Sequence, residues 1–189
     1  MVVDSPALAL GSSQSEADVD AAAAAGRGVS VVRRHSGGGA VLLVPAEHVW
    51  LDVWLPADDP LWIDDVGRAS DWLAEVWIAA LGMLGVGGLV AHRGPLESNE
   101  WSSQICFAGL GAGEITSAGR KLVGVSQRRT RDWARFQCLL HRRWNAEATF
   151  GLLARAGSAT AGVSWIDRVA EIGPAPVTAA FDAALARLT

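Results

Sequence analysis

Two rhythms of apolar and polar residues run through the chain. From Val49 to Leu55, Val49, Leu51, Val53 and Leu55 alternate with Trp50, Asp52 and Trp54. A period of two predicts a strand with one buried face. From Val66 to Leu84, Val66, Ala69, Leu73, Val76, Trp77, Ala80, Leu81 and Leu84 recur every three or four residues, leaving Arg68, Asp71 and Glu75 outward. That spacing predicts an amphipathic helix, ended by Gly85, Gly87 and Gly88. A second helix is expected over Thr178–Leu188, with Ala180, Phe181, Ala184, Leu185 and Leu188 in one stripe. Helical character is also expected over Glu16–Ala25 and Ala146–Ala156.

Shorter apolar runs predict further strands at Pro6–Gly11, Val29–Arg34, Ala40–Val44, Leu89–His92, Gln104–Leu110, Glu114–Ser117, Arg120–Gln127 and Phe136–Leu140. Strict alternation on the Arg120–Gln127 strand puts Lys121 on the side of Val123 and Val125. Gly157–Gly162 reads as a Ser/Ala/Gly linker. Hairpin-length connections between several strands favour a mixed sheet with helices over strict β-α-β winding. The expected class is α+β, a single domain over residues 1–189.

Composition narrows this picture. Half of the 189 residues are hydrophobic, enough for one core. No apolar run suits a membrane span, and no basic segment precedes an apolar one as in a secretory signal. Two cysteines, Cys106 and Cys138, form no disulfide framework, so a cytoplasmic protein with reduced thiols is expected. The net charge of −4 argues against nucleic acid as a partner. The nine tryptophans read as core or as walls for an apolar ligand. The four histidines show no metal spacing.

Charge usage is lopsided. Lys121 is the only lysine, and the other 15 of 16 basic residues are arginine. An ammonium is a compact charge with three donors, suited to one oxygen; a guanidinium is a fixed fork. Composition alone leaves open whether that lysine is functional or a chance survivor. Arg33-Arg34-His35-Ser36-Gly37-Gly38-Gly39 is a second candidate. Three successive glycines let a ligand approach bare backbone, and successive N–H groups there can cradle an anion. A glycine-rich turn with solvated arginines is the structural alternative.

In order and spacing, Arg33–Val41 and Gly119–Arg129, preceded by Gly11-Ser12-Ser13-Gln14, resemble the lipoate–protein ligase, biotin ligase and octanoyltransferase catalytic-domain family. The lipoyl/octanoyl branch is nearest, over about residues 7–145. The resemblance implies a mixed sheet flanked by helices, akin to class II aminoacyl-tRNA synthetases. It implies that Arg33, Arg34, Ser36, Gly37, Gly38, Gly39, Gly124 and Ser126 line the acyl and phosphate site, and that Lys121 contacts the acyl carbonyl or acyl-phosphate oxygens. Trp50 and Trp54 would wall the acyl chain.

Two enzymes fit that resemblance, and the pairing of the Arg-Arg/Gly-Gly-Gly and Gly-Arg-Lys strings favours the first, a ligase. A ligase takes lipoate or octanoate with ATP and magnesium, and passes the acyl group from an adenylate to a carrier-domain lysine. A transferase needs neither, and takes octanoyl from acyl-carrier protein. Cys106-Phe107 stands where cysteine-dependent octanoyltransferases carry Cys-Phe, and Glu114 matches an acidic residue that follows. Cys106 is thus read either as a thioester-forming nucleophile or as a small buried hydrophobe. A non-catalytic acyl- or carrier-binding relative is the third reading. Leu42–Pro45 replaces a polar stretch of the family, and Gln137-Cys138-Leu139 replaces Gln-His-Gly. The family's helix before Gly-x-x-Gln has no counterpart, which reads as a misplaced start or a truncation at Met1. The C-terminal accessory domain of classical lipoate ligases is not expected within these 189 residues.

Overall fold

The structure, a computed structural model, describes residues 3–155 and 169–188. Strands β1 (Ala7–Leu10), β2 (Ser30–Arg33) and β3 (Val41–Leu43) form a small sheet in the order β2-β1-β3. β1 runs parallel to β2 and antiparallel to β3. A parallel pair needs a crossover, and helix α1 (Ala21–Gly26) supplies it, capped by the Asp20 carboxylate on Ala23 N–H.

The larger sheet is antiparallel throughout. It holds β4 (His48–Pro56), β5 (Leu89–Ala91), β6 (Ile115–Ser117), β7 (Arg120–Arg129) and β8 (Trp133–His141), in the order β4-β8-β7-β6-β5. The alternation on β4 is realised. Val49, Leu51, Val53 and Leu55 face helices α2 (Asp71–Met83) and α4 (Val177–Leu185), joined by Phe136, Cys138 and Leu140 of β8. Trp77 of α2 is fully buried against Phe181 of α4, with ring centroids 4.6 Å apart.

On the opposite face, Trp50, Leu139 and Phe107 pack against Ala9, Val41 and Leu43 of the small sheet. A further core of Leu8, Leu10, Leu42, Ala24 and Leu152 covers that sheet's outer side. Helices, large sheet, small sheet and α1 are therefore stacked in layers, and a cleft opens between the two sheets. Among the described residues no helix is long and apolar enough to cross a membrane.

Several elements differ from the expectation. The helix predicted from Val66 starts at Asp71, because Asp65 holds Gly67 N–H and Arg68 N–H in a turn. Glu16–Ala25 splits into a 3-10 turn and α1, interrupted where Val19 bridges to Leu153. Of Ala146–Ala156, only α3 (Ala146–Phe150) is helical among the described residues. The linker assigned to Gly157–Gly162 lies outside them, as does Ala156. Gln104–Leu110 is not a strand: Gln104 and Ile105 N–H both turn back to the Trp101 carbonyl, and Cys106–Ala108 form a 3-10 turn.

Candidate active site

The glycine loop is seated between two backbone walls. A Cβ on Gly11 would lie 1.8 Å from the Gly38 carbonyl oxygen, and one on Gly39 2.5 Å from the Ile105 nitrogen. Gly38 has φ +94°, a left-handed conformation that favours glycine. Hydrogen bonds then stitch the loop down. Ser12 N–H donates to Ser36 O at 3.0 Å, Ala40 N–H to Gln104 O at 2.7 Å, and Cys106 N–H to Ala40 O at 3.0 Å. The last two fix the Cys106 turn to the loop's end.

Arg34 lies beneath this loop. Its Nη2 donates to the carbonyls of Gly37 (2.6 Å) and Gly39 (2.8 Å), its Nη1 to Ala9 O (3.0 Å) and its Nε to Ser36 Oγ (3.1 Å). Burial pulls the guanidinium's pKa down, with the neighbouring Cys106 opposing. Arg33 points elsewhere, to the carbonyls of Gly11 and Gln14 and to the Glu16 carboxylate.

Lys121 is placed by a bulge. β6 and β7 pair Ile115 with Val123 and Thr116 with Lys121, so Leu122 is an extra residue on β7. Leu122 and Val123 both enter the helix-side core. Two consecutive residues on one side reset the alternation behind them. Lys121 therefore shares the cleft side with Gly124 and Ser126, not the side of Val123 and Val125 that even alternation predicts. Its Nζ is buried, donates to Cys106 O (3.0 Å) and Gly109 O (2.8 Å), and pairs with Glu114 Oε2 at 2.6 Å. The ammonium also lies 4.9 Å from the centroid of the Phe107 ring. Glu114 is equally buried; its Oε2 accepts Gly111 N–H (2.7 Å) and its Oε1 accepts Val125 N–H (3.0 Å).

These parts enclose a cleft of about 310 Å³, bordered by Gly37–Gly39, Cys106, Glu114, Lys121 and Ser126. Cys106 is half-buried, and its Sγ lies 3.5 Å from where a Cβ on Gly38 would stand. A narrower recess runs on from Cys106 and Ser126 past Gly124 to Trp50 and Leu139. Its floor is polar. Ser126 Oγ donates to Ser36 Oγ (3.0 Å), Ser36 Oγ to Gln137 Oε1 (2.6 Å), and Gln137 Nε2 to Asp52 Oδ1 (3.1 Å). Burial works against the charge on Asp52, but hydrogen bonds from Arg135, Trp50 and Gln137 outweigh it and hold its pKa below the usual value.

The structure thus gathers Arg34, Ser36, Gly37, Gly38, Gly39, Cys106, Lys121, Gly124 and Ser126 around one cleft and its recess, and leaves the guanidinium of Arg33 outside. Trp50 borders the recess, whereas Trp54 is exposed and packs at a tilt against Trp133. Asp52 and Gln137 complete the site without having stood among the sequence candidates for it, and Glu114, matched in the sequence to an acidic residue of the family, completes it as the partner of Lys121. Asp52 could have been found: it is the one charge in the polar phase of β4, between two tryptophans. Among the described residues no three His, Cys, Asp or Glu side chains are placed to hold a metal.

A buried histidine backs this wall. His141 packs edge-on to Phe107 at 4.5 Å, and burial pushes its pKa down to about 3, aided by His48 and Lys121. It is neutral in the fold, while the unfolded chain takes up its proton near pH 6.5. Its contribution is complete above that pH and is lost as pH falls toward 3, at up to about 1.4 kcal/mol per pH unit. Urea midpoints should therefore drop between pH 7 and pH 4, and His141→Phe should flatten that fall.

One family model covers nearly the whole chain. Residues 1–186 match the model of the lipoyl protein ligase A/B catalytic domain. Over 103 residues the chain is 36% identical to octanoyltransferase LipM of Moorella thermoacetica, covering 54% of this chain and 37% of that protein. A crystal structure of lipoate-protein ligase A bound with ATP superposes with a TM-score of 0.70 at 17% identity, covering 97% of this chain and 68% of the other. A bi-partite lipoate protein ligase from Thermoplasma acidophilum, described with its E2 lipoyl domain, gives 0.69 at 18% identity, over 97% and 66%. The chain thus spans little more than a third of the octanoyltransferase and about two thirds of these solved ligases.

Proposed function

Since the chain belongs to the lipoyl protein ligase A/B catalytic-domain family, we propose that it transfers an octanoyl- or lipoyl-type acyl group to a lysine of a carrier domain, with Cys106 holding the group as a thioester on the way. The observation that carries this is the company Cys106 keeps: one half-buried sulfur shares a cleft with the glycine loop and the sole lysine.

The Cys106 thiolate attacks the carbonyl carbon of an acyl thioester. The new C–S bond replaces the donor's, and the donor thiolate leaves and takes up a proton. The neutral amine of the acceptor lysine then attacks the acyl-Cys106 carbonyl. An amide C–N bond forms, the Cys106 C–S bond breaks, and the amine's proton passes to sulfur. The glycine loop offers bare backbone to the carbonyl oxygen, where negative charge develops. Lys121 holds the Cys106 turn through its bonds to Cys106 O and Gly109 O.

The acyl-adenylate route is the second reading, favoured by the shared fold of an ATP-bound ligase. It would need residues that hold ATP phosphates and magnesium. Among the described residues bordering the cleft Lys121 is the one cation, and it is paired with Glu114. The arginine pair is spent on loop carbonyls. With Lys121 matched by Glu114 and the Arg34 guanidinium at the recess held by loop carbonyls, the cleft suits an uncharged acyl thioester better than a triphosphate.

Two parallel mixtures test this. The chain is incubated with a lipoyl domain and either octanoyl-acyl-carrier protein, or octanoate with ATP and magnesium. The acceptor's mass is then followed. Octanoylation from the carrier thioester alone is expected. Transfer only in the ATP mixture would replace the thioester route with the adenylate, and no transfer in either would remove the catalytic reading.

A further inference from the structure

We propose that Glu114 is a positioning residue that shields the protein from acylating its own lysine. The inference rests on reading the cleft as an acyl-transfer site. Such a site delivers acyl groups to lysine amines, and this chain places a lysine amine inside it. Lys121 Nζ is 3.0 Å from the carbonyl oxygen of Cys106, and both residues border the same cleft. Nothing but local chemistry separates Lys121 from the acceptor lysine of a carrier.

That chemistry is visible in the hydrogen bonds. An ammonium has three N–H donors and no lone pair. Here three acceptors surround Nζ: Glu114 Oε2, Cys106 O and Gly109 O. Two are neutral carbonyls, and the carboxylate supplies the counter-charge. Glu114 is itself locked by the N–H groups of Gly111 and Val125. Val125 belongs to β7 just beyond the last β6 pair, Ile115 with Val123. The carboxylate thus closes the strand edge where β6 peels away, and it cannot swing off without stranding two partly buried donors.

Without that carboxylate, Nζ loses its ion-pair partner and one of its three anchors, and the amine is free to turn toward the cleft. It can then attack acyl-Cys106: an amide N–C bond forms, the C–S bond breaks, and the amine's proton goes to sulfur. The product is a dead protein with an acylated Lys121. The composition fits this hazard. Every other basic side chain is an arginine, whose guanidinium stays charged and is no acyl acceptor.

A single lysine makes the test direct, because one proteolytic fragment reports every side-chain amine. Wild type, Glu114→Gln and Glu114→Asp are compared as full chains. One arm uses the octanoyl thioester of a small thiol; the other uses the N-hydroxysuccinimide ester of acetate, which needs no enzyme activity. Octanoyl on Lys121 is expected in Glu114→Gln at least tenfold faster than in wild type, with Glu114→Asp between them. The acetate ester should show the same order. Should Glu114→Gln fail to fold, Glu114→Asp decides. Wild-type Lys121 reacting as fast as a free lysine overturns the proposal. So does a folded variant whose Lys121 reacts no faster than wild type. A wild type that acylates no carrier, yet shows Glu114-dependent resistance to the acetate ester, sinks the acyl-transfer reading instead.

Discussion

Cys106→Ala should lower acyl transfer to the carrier lysine by about a thousandfold or more, about 4 kcal/mol of barrier. The side chain is small and half-buried, so its removal leaves the fold nearly intact, and the loss falls on chemistry. The second cysteine supplies the contrast. Cys138 is fully buried in the helix-side core, and burial pushes its thiol up to about 12. At neutral pH it carries no thiolate with which to attack. Cys138→Ala should therefore cost stability, as a core truncation does, and leave transfer per folded molecule unchanged. Octanoyl-acyl-carrier protein as donor, with thermal melts alongside, separates the two effects. Wild-type rates in Cys106→Ala would end the thioester mechanism.

Gly11→Ala should be the most damaging single methyl among the described glycines. The added carbon would stand 1.8 Å from the Gly38 carbonyl oxygen and 3.0 Å from the carbon bearing it. Both are backbone atoms, so no rotamer change relieves the overlap. The glycine loop must leave its seat, taking with it the carbonyls that satisfy Arg34. A buried guanidinium robbed of acceptors adds to the steric cost, and a loss of about 3–5 kcal/mol is expected. For a chain of this length that lowers the melting temperature by about 10 °C. Gly37→Ala is the control: its Cβ would meet nothing within 4 Å, and its φ is not positive. A shift within about 0.5 kcal/mol is expected there. Equal melting temperatures for the two variants would show that the loop is not clamped as described.

Much of the fold was legible because its signals are periodic and long. β4 alternates over its whole length, and the helix-side core takes its odd-numbered residues. The stripe on α2 was readable too, although its start was hidden in the turn that Asp65 builds. Short apolar runs were not legible. Gln104–Leu110 reads as a strand by composition, yet the Trp101 carbonyl collects two N–H groups and bends the segment into a turn. Tertiary pairing, not local preference, decides such a segment.

The site was legible in its parts rather than its arrangement. The glycine string and the lysine string lie about eighty residues apart, and they do border one cleft. The sequence could not reveal that Arg33 turns outward and Arg34 inward to serve carbonyls. Nor could it reveal that one extra residue at Leu122 moves Lys121 to the other side of its strand. A bulge leaves no mark in composition, and a period-two reading runs straight through it.

The stitched glycine loop bears on affinity. Arg34 reaches up from below, so the loop takes its shape from the chain itself and needs no guest to form. A ligand seated there would spend nothing on ordering that stretch of backbone, and more of its contact energy would be realised as affinity. A rigid receptor of this kind also discriminates by shape, since a misfitting headgroup cannot persuade its walls to adapt.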